Sequence, residues 1–432
     1  MKKIWITSAV LATVLYANEL SIDEELENQK VETVKKSNGM MPSISLIVDM
    51  GYTTRNFDNK NTTEHIEIPG LVHGGGDEHE GHSHTSLAGD DGFTLNYAEL
   101  SLGASIDNYF DLKSIFHITK DVIEIEEAYA TTTSLPWNLR ARLGKFNSNF
   151  GYLNEKHHHS YSFNDIPLIY NALLGGHGLN DIGVQLQYVL PFNTYTMVGL
   201  EVLEGTNEQS FGVDGFSPTD ANETFAGVEG TDTPLVVGYI KTSFDIAGGT
   251  LLAGASVANG KSRIAHLDEG DESHAFAGDS TIYGVDMTYK NYFSTHNSIT
   301  LQGEYLYREL DGKQYVPNTT NDAWKSIVNL NKKQAGFYTQ VVYRHNKEIA
   351  MGVRYSAIVQ NDVLANGVNK NISDDIYVAS AMVEYNFSEF SRVRLQYTHN
   401  SSLFNEDGTK NNKDEIGLQF NYAIGAHGAH SF

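Results

Sequence analysis

The chain has 432 residues, no cysteine, 24 tyrosines, 20 phenylalanines, only 8 prolines and a formal net charge of −24. Without cysteine it cannot be one of the disulfide-stapled scaffolds common among exported proteins, and so large an acid excess argues against a nucleic-acid partner. Beyond residue 17 no apolar run approaches the roughly 20 residues that a spanning helix needs.

The first residues, MKKIWITSAVLATVLYANE, place two lysines before an apolar run from Ile4 to Ala17 and end in polar and acidic residues. That layout predicts a secretory signal peptide over 1–17. The segment 18–42 is rich in lysine and glutamate, and Ser21 and Glu24 have capping-box spacing. It reads as either a short helix or a partly disordered periplasmic lead.

From residue 43 to 432 the pattern is one of short segments alternating apolar and polar. Sixteen are legible, at 43–52, 93–106, 109–118, 122–133, 138–146, 181–190, 194–203, 234–245, 249–258, 281–291, 297–309, 333–345, 347–358, 375–386, 391–400 and 414–424. In SRVRLQY, Val393, Leu395 and Tyr397 oppose Arg392, Arg394 and Gln396, and NLRARLGKF alternates in the same way. The connections keep a parity: 53–92, 147–180, 204–233, 259–280, 310–332, 359–373 and 401–413 are long, and those between them are tight turns. The remaining outer connection, 119–121, is short. This predicts an all-β fold, a transmembrane antiparallel barrel of about 16 strands with short periplasmic turns and long extracellular loops.

Charge concentrates on the outer face. The loops 53–92, 204–233 and 259–280 carry twenty acids against four bases. A mouth of one sign raises the local concentration of counter-ions, so the mouth favours cations. On the polar faces of the strands, Glu124, Glu126, Glu304, Arg140, Arg142, Arg354, Arg392 and Arg394 are candidate pore-lining residues, with Glu201 and Glu384 on the same faces. Glu124 and Glu126 lie one tight turn from Arg140 and Arg142, and pairing across adjacent strands is an equal alternative to a selectivity role.

Eleven of the 17 histidines fall in outer loops. In LVHGGGDEHEGHSHTSLAGDD, residues 71–91, His73, His79, His82 and His84 stand among Asp77, Glu78 and Glu80. Imidazole and carboxylate are zinc ligands, and the glycines at 74–76 let the backbone fold around an ion. A metal-capture loop that contributes no core is one reading, and a solvated low-complexity loop is the other. His157, His158, His159 and His177 occupy the third outer loop, as ligands and pore lining or as a surface cluster. His117, His296, His345 and His399 read as rim or turn residues.

The run RLGKFNSNFGYLNEKHHHSYSFNDIPLIYNALLGGHGLNDIGVQL, residues 142–186, carries a resemblance. GKFNSNFG is similar to a motif common in Gram-negative porins. With GFTLNYAELSL before it and IGAHGAHSF at the end, the whole resembles outer-membrane barrels labelled zinc-regulated TonB-dependent receptors. The resemblance implies the outer membrane of a Gram-negative bacterium and zinc-linked expression or transport. TonB-dependent receptors, however, have 22 strands around a plugged lumen. Here about 25 residues separate the leader from the first strand, so a TonB partner and a separate plug are not expected.

The expectation is therefore a porin-like channel for small cations that favours divalent metal, with Zn²⁺ as ligand or substrate and no required cofactor. The third outer loop is the one from which porins build a constriction. The alternatives are an unselective porin whose acidic loops bind Ca²⁺ or Mg²⁺ bridging lipopolysaccharide, and a TonB-dependent zinc receptor. No G-x-S-x-G motif is present and no enzyme is expected. Expected partners are outer-membrane lipid and lipopolysaccharide, the barrel-assembly machinery and further copies in a homotrimer.

Overall fold

The computed structural model describes residues 42–56, 66–71, 91–207, 209–218, 227–267, 273–318, 323–370, 375–405 and 408–425. The expected signal peptide, the segment that follows it up to residue 41 and the loop residues His73, Asp77, Glu78, His79, Glu80, His82 and His84 lie outside the described residues.

Sixteen strands form the wall: β1 (Ser43–Arg55), β2 (Gly92–Ser105), β3 (Phe110–Ile118), β4 (Ile123–Thr132), β5 (Leu139–Asn147), β6 (Asn180–Val189), β7 (Thr196–Leu203), β8 (Leu235–Ile246), β9 (Gly249–His266), β10 (His274–Ser294), β11 (Asn297–Pro317), β12 (Trp324–Arg344), β13 (Ile349–Ala365), β14 (Ile376–Ser388), β15 (Ser391–Ser401) and β16 (Lys413–Gly425). Each pairs antiparallel with the next. β16 then returns to β1, from Ser45 opposite Gly425 to Arg55 opposite Glu415, and closes the barrel. Closure satisfies the backbone of every strand without leaving an edge, which is why strands can cross a bilayer.

The alternation read in the sequence is the alternation of the wall. On β15 Leu395 and Tyr397 are exposed while Arg394, Gln396 and Thr398 are buried inside. On β10 the exposed run Tyr283, Val285 and Met287 ends in Tyr292 and Phe293. Near the tight turns Tyr109, Phe110, Trp137, Phe192, Phe244, Phe387 and Phe390 are exposed as well. An apolar outer band with an aromatic girdle is the lipid-facing surface of an outer-membrane barrel.

Two differences from the sequence reading stand out. The loops 259–280, 310–332 and 359–373 are largely strand, because β9 to β13 continue well past the expected ends and pair as far as His266 with His274. Beyond the apolar band both faces of a hairpin are solvated, so the period-two signal stops while the ladder goes on. In addition Leu71, expected in a loop without core, is buried with Ile68 in the interior. The backbone there is held by Lys332 Nζ and Gln334 Nε2 donating to Gly70 O at 2.9 and 2.8 Å.

Candidate metal centre in the lumen

The third outer loop, 147–180, folds into the barrel. Its sequence explains why. Pro167 starts and Gly175, at φ 75°, ends a short helix, α1 (Leu168–Leu174), in which all seven residues are buried. A segment so apolar has no place on a solvated rim. Asn154 Nδ2 donates to Ser148 O and Leu179 O at 2.8 and 3.0 Å and so ties the two ends of the loop together. Gly151 has φ 64°, and a Cβ there would sit 2.4 Å from a Glu304 oxygen, which requires the glycine of the GKFNSNFG run.

The wall grips this loop on every side. Glu201 on β7 accepts from Ser148 Oγ and the Asn149 N–H. Ser256 on β9 accepts from the Gly151 N–H at 3.1 Å. Glu304 on β11 accepts from the N–H groups of Tyr152 and Leu153 at 2.9 and 3.0 Å and from the hydroxyls of Tyr170 and Tyr338. On β13 Arg354 donates to Asp165 O at 2.7 Å and to its carboxylate, with Phe163 under the guanidinium. On β15 Arg394 donates to Tyr161 O at 2.9 Å and to Glu384 at 2.7 Å, and Arg392 donates to His159 O. Thus Glu304, Arg354, Arg392 and Arg394, expected to line an open pore, serve as anchors for a loop that crosses the lumen.

The crossing has two unlike sides. Toward β7–β14, residues Phe150, Ile169, Leu173 and Leu174 join Leu203, Val237, Leu306, Ile358 and Ile376 of the wall in one buried apolar cluster. The inner wall there was expected to be polar, and it is instead the seat of α1. Toward β3–β6 the loop leaves a small, partly open cavity of about 20 Å³ whose lining includes His117, Glu126, Asn154, His158, His177 and Asn180.

A distortion of β4 builds the polar side. Ile115 of β3 faces Glu127 and Phe116 faces Ile125, so Glu126 is an extra residue without a cross-strand partner. Such a bulge re-aims side chains. Ile123 and Ile125 point outward and are exposed, whereas Glu126 and Glu127 both turn inward. Glu99 on β2 and His117 on β3 are buried beside them.

Three imidazoles meet these three carboxylates. His157 Nδ1 lies 3.3 Å from Glu126 Oε1 and 4.0 Å from Glu99 Oε2, while its Nε2 lies 3.2 Å from Glu127 Oε2. His117 Nε2 is 3.2 Å from Glu126 Oε2 and 3.9 Å from Glu99 Oε2. His159 Nδ1 is 2.9 Å from Glu99 Oε2, and the rings of His157 and His159 stack at 5.7 Å. Glu127 also accepts from the Asn147 N–H at 2.9 Å. Burial works against a charge on His157, but Glu126 and Glu99 outweigh it and hold its pKa well above the ordinary imidazole value. Burial pushes His158 the other way, down to about 4.

The structure therefore sorts the candidate residues. His157 and His159 are not a surface cluster, and His177 lines the adjoining opening. His117 is neither rim nor turn but a buried member of the cluster. Glu126 turns to histidines rather than to Arg140 or Arg142, and the Arg142 guanidinium lies 4.3 Å over the Tyr129 ring. Glu124, Arg140 and Arg142 remain half-buried on the inner wall. Glu99 and Glu127 were missed. The broken alternation of IEIEEAYA, with two adjacent acids, was the signal for Glu127. Glu99, in the regular alternation of AELSL, carried no such signal.

No family model matches the chain. A protein of Aquifex aeolicus (strain VF5), described as uncharacterized, is 42% identical over 392 residues, which is 91% of this chain and 80% of that protein. The chain belongs to that protein's family. Among solved structures, OmpT, an outer membrane protein of Vibrio cholerae, is 12% identical with a TM-score of 0.51, over 91% of this chain and 100% of that one. The outer membrane channel DcaP of Acinetobacter baumannii is 13% identical with a TM-score of 0.49, over 89% and 96%. The likeness to OmpT shows the fold: the chain is a closed antiparallel β-barrel of the kind that outer-membrane proteins form. Its sixteen strands are not the 22 of TonB-dependent receptors.

Proposed function

We propose that the protein is a porin-like channel that admits small cations and favours divalent metal ions, with Zn²⁺ as a substrate. The observation that carries this reading is the meeting of His117, His157 and His159 with Glu99, Glu126 and Glu127 where the third loop crosses the lumen. An apolar seal on the opposite side directs ions past this cluster. Upstream, the acid-rich outer loops concentrate cations before they reach it, and the histidines at 73, 79, 82 and 84 would hold metal at the mouth.

Purified protein in planar bilayers tests the reading. Under a KCl gradient the reversal potential should report K⁺ permeating in preference to Cl⁻, and micromolar Zn²⁺ added from the loop side should alter the current. Anion selectivity at low salt would remove the cation-channel reading, and a current indifferent to Zn²⁺ would remove the metal preference and leave an unselective porin.

A further inference from the structure

We infer that Glu99, Glu126, His117 and His157 form a binding site for one divalent transition ion of borderline softness, with Glu127 and His159 as its orienting partners. The site deepens the channel reading, on which its transport role rests, but its occupancy is measured without any current.

The argument begins with spacing. An ion held tetrahedrally by nitrogen and oxygen ligands at about 2.0–2.2 Å needs its ligand atoms about 3.3–3.6 Å apart. The separations of His157 Nδ1 and His117 Nε2 from the oxygens of Glu126 and Glu99 run from 3.2 to 4.0 Å. One ligand atom each from Glu99, Glu126 and His157 falls within 4.8 Å of the others. Small rotations of side chains around a central point suffice to close the set.

The second argument is unmet bonding. Glu99 is 1% exposed, yet its Oε1 has no hydrogen-bond partner among the described residues. Glu126 and His157 face this carboxylate and are themselves held by ion pairs, His157 Nδ1 to Glu126 Oε1 at 3.3 Å and His117 Nε2 to Glu126 Oε2 at 3.2 Å. A buried polar atom such as Glu99 Oε1 is costly unless something completes its bonding. A cation among these side chains would complete the bonding of Glu99.

The third argument is orientation. Metal-binding imidazoles almost always donate their other N–H to a carboxylate, which fixes the tautomer and aims the ligand nitrogen. His157 has that arrangement, since Nε2 faces Glu127 Oε2 at 3.2 Å and Nδ1 faces the gap. Glu127 is itself held by the Asn147 N–H, and Glu99 is steadied by His159. Two imidazoles and two carboxylates suit Zn²⁺ and its neighbours. Ca²⁺ wants six to eight oxygens and Mg²⁺ a near-ideal octahedron, which these four side chains do not supply. Because His157 comes from the loop and the others from β2, β3 and β4, the bound ion would also staple the loop to the wall.

Cobalt substitution tests the site. Detergent-solubilised, folded protein titrated with Co²⁺ should show the intense visible absorption of one tetrahedral nitrogen and oxygen site, beyond any ion held by the outer loop, and Zn²⁺ should displace it. The His73, His79, His82 and His84 to Ala variant should keep that signal, which separates this site from the outer loop. Glu99→Gln, Glu126→Gln and His157→Gln should each weaken binding by more than the roughly 10–100-fold that loss of an orienting partner costs, with heat-modifiable migration confirming that the barrel is folded. Glu127→Gln should weaken it within that range. Absence of the tetrahedral signal in the wild type, or its survival in folded Glu126→Gln and Glu99→Gln proteins, would overturn the site. Cobalt binding without cation current would keep the site and remove the channel, and current without cobalt binding would do the reverse.

Discussion

The two sides of the lumen are made by one loop and differ in almost every respect. Toward β12 and β13, α1 presses Ile169 onto Gly336 and Ile358, and a Cβ on Gly336 would lie 2.7 Å from Ile169 Cδ1. Toward β2–β4 the same loop offers His157 and His159 to three wall carboxylates and leaves an opening. A close-packed apolar seat excludes water, and a wall of paired charges beside a cavity admits it. The contrast teaches that one loop can seal one side of a sixteen-stranded barrel with apolar packing while presenting titratable groups on the other, and on the proposed function selectivity would arise on the second side.

The largest effect should come from erasing the contrast. Excising residues 152–176 and joining the ends with a short glycine–serine link removes both sides together. Conductance should then rise roughly tenfold or more, toward that of an aqueous sixteen-stranded channel. An unchanged conductance would mean that the loop does not set the passage.

Loosening the loop without removing it is the next step. Glu304→Ala would strand two N–H groups and the hydroxyls of Tyr170 and Tyr338. Loss of such charge-assisted bonds costs about 3 kcal/mol of docking, or roughly 100-fold in the undocked population. Limited trypsin digestion at Lys156 reads this directly. Cleavage should be slow in the wild type and fast in the variant, and equal rates would show that Glu304 is not an anchor.

Selectivity should respond to salt more gently. Screening shortens from about 10 Å at 0.1 M to about 3 Å at 1 M, so preference for K⁺ over Cl⁻ should fall as KCl rises. A preference that holds constant would place selectivity wholly at the cluster and not at the acidic mouth. The smallest effect is expected from the His73, His79, His82 and His84 to Ala variant. It should lower total Zn²⁺ capture in calorimetric titration while thermal unfolding stays within about 0.5 kcal/mol of wild type. The four positions lie beyond Leu71, which is buried together with Ile68.

Much of the wall was legible because a membrane enforces it. The period-two pattern of SRVRLQY exists because one face meets lipid and the other the lumen. Where that constraint ends, so does the signal, and the outer halves of β9 to β13 went unread. An apolar residue on the inner face, such as Leu306 or Ile358, carries no mark that distinguishes it from one facing lipid, so the seat of α1 was invisible. The loop histidines at 157–159 were conspicuous by composition. Their partners were not, because Glu99 and His117 sit singly in ordinary strand sequence, and Glu127 faces inward only through the bulge at Glu126.

The central claim is that the passage runs along the histidine–glutamate side. The protein has no native cysteine, so single cysteines can be placed without any background substitution. His177→Cys lies on the lining of the opening and Ile169→Cys at the apolar seat. A charged methanethiosulfonate added during bilayer recording should modify His177→Cys and reduce the current, and should leave Ile169→Cys unaffected. Modification and block at Ile169→Cys, with His177→Cys unreactive, would contradict the account.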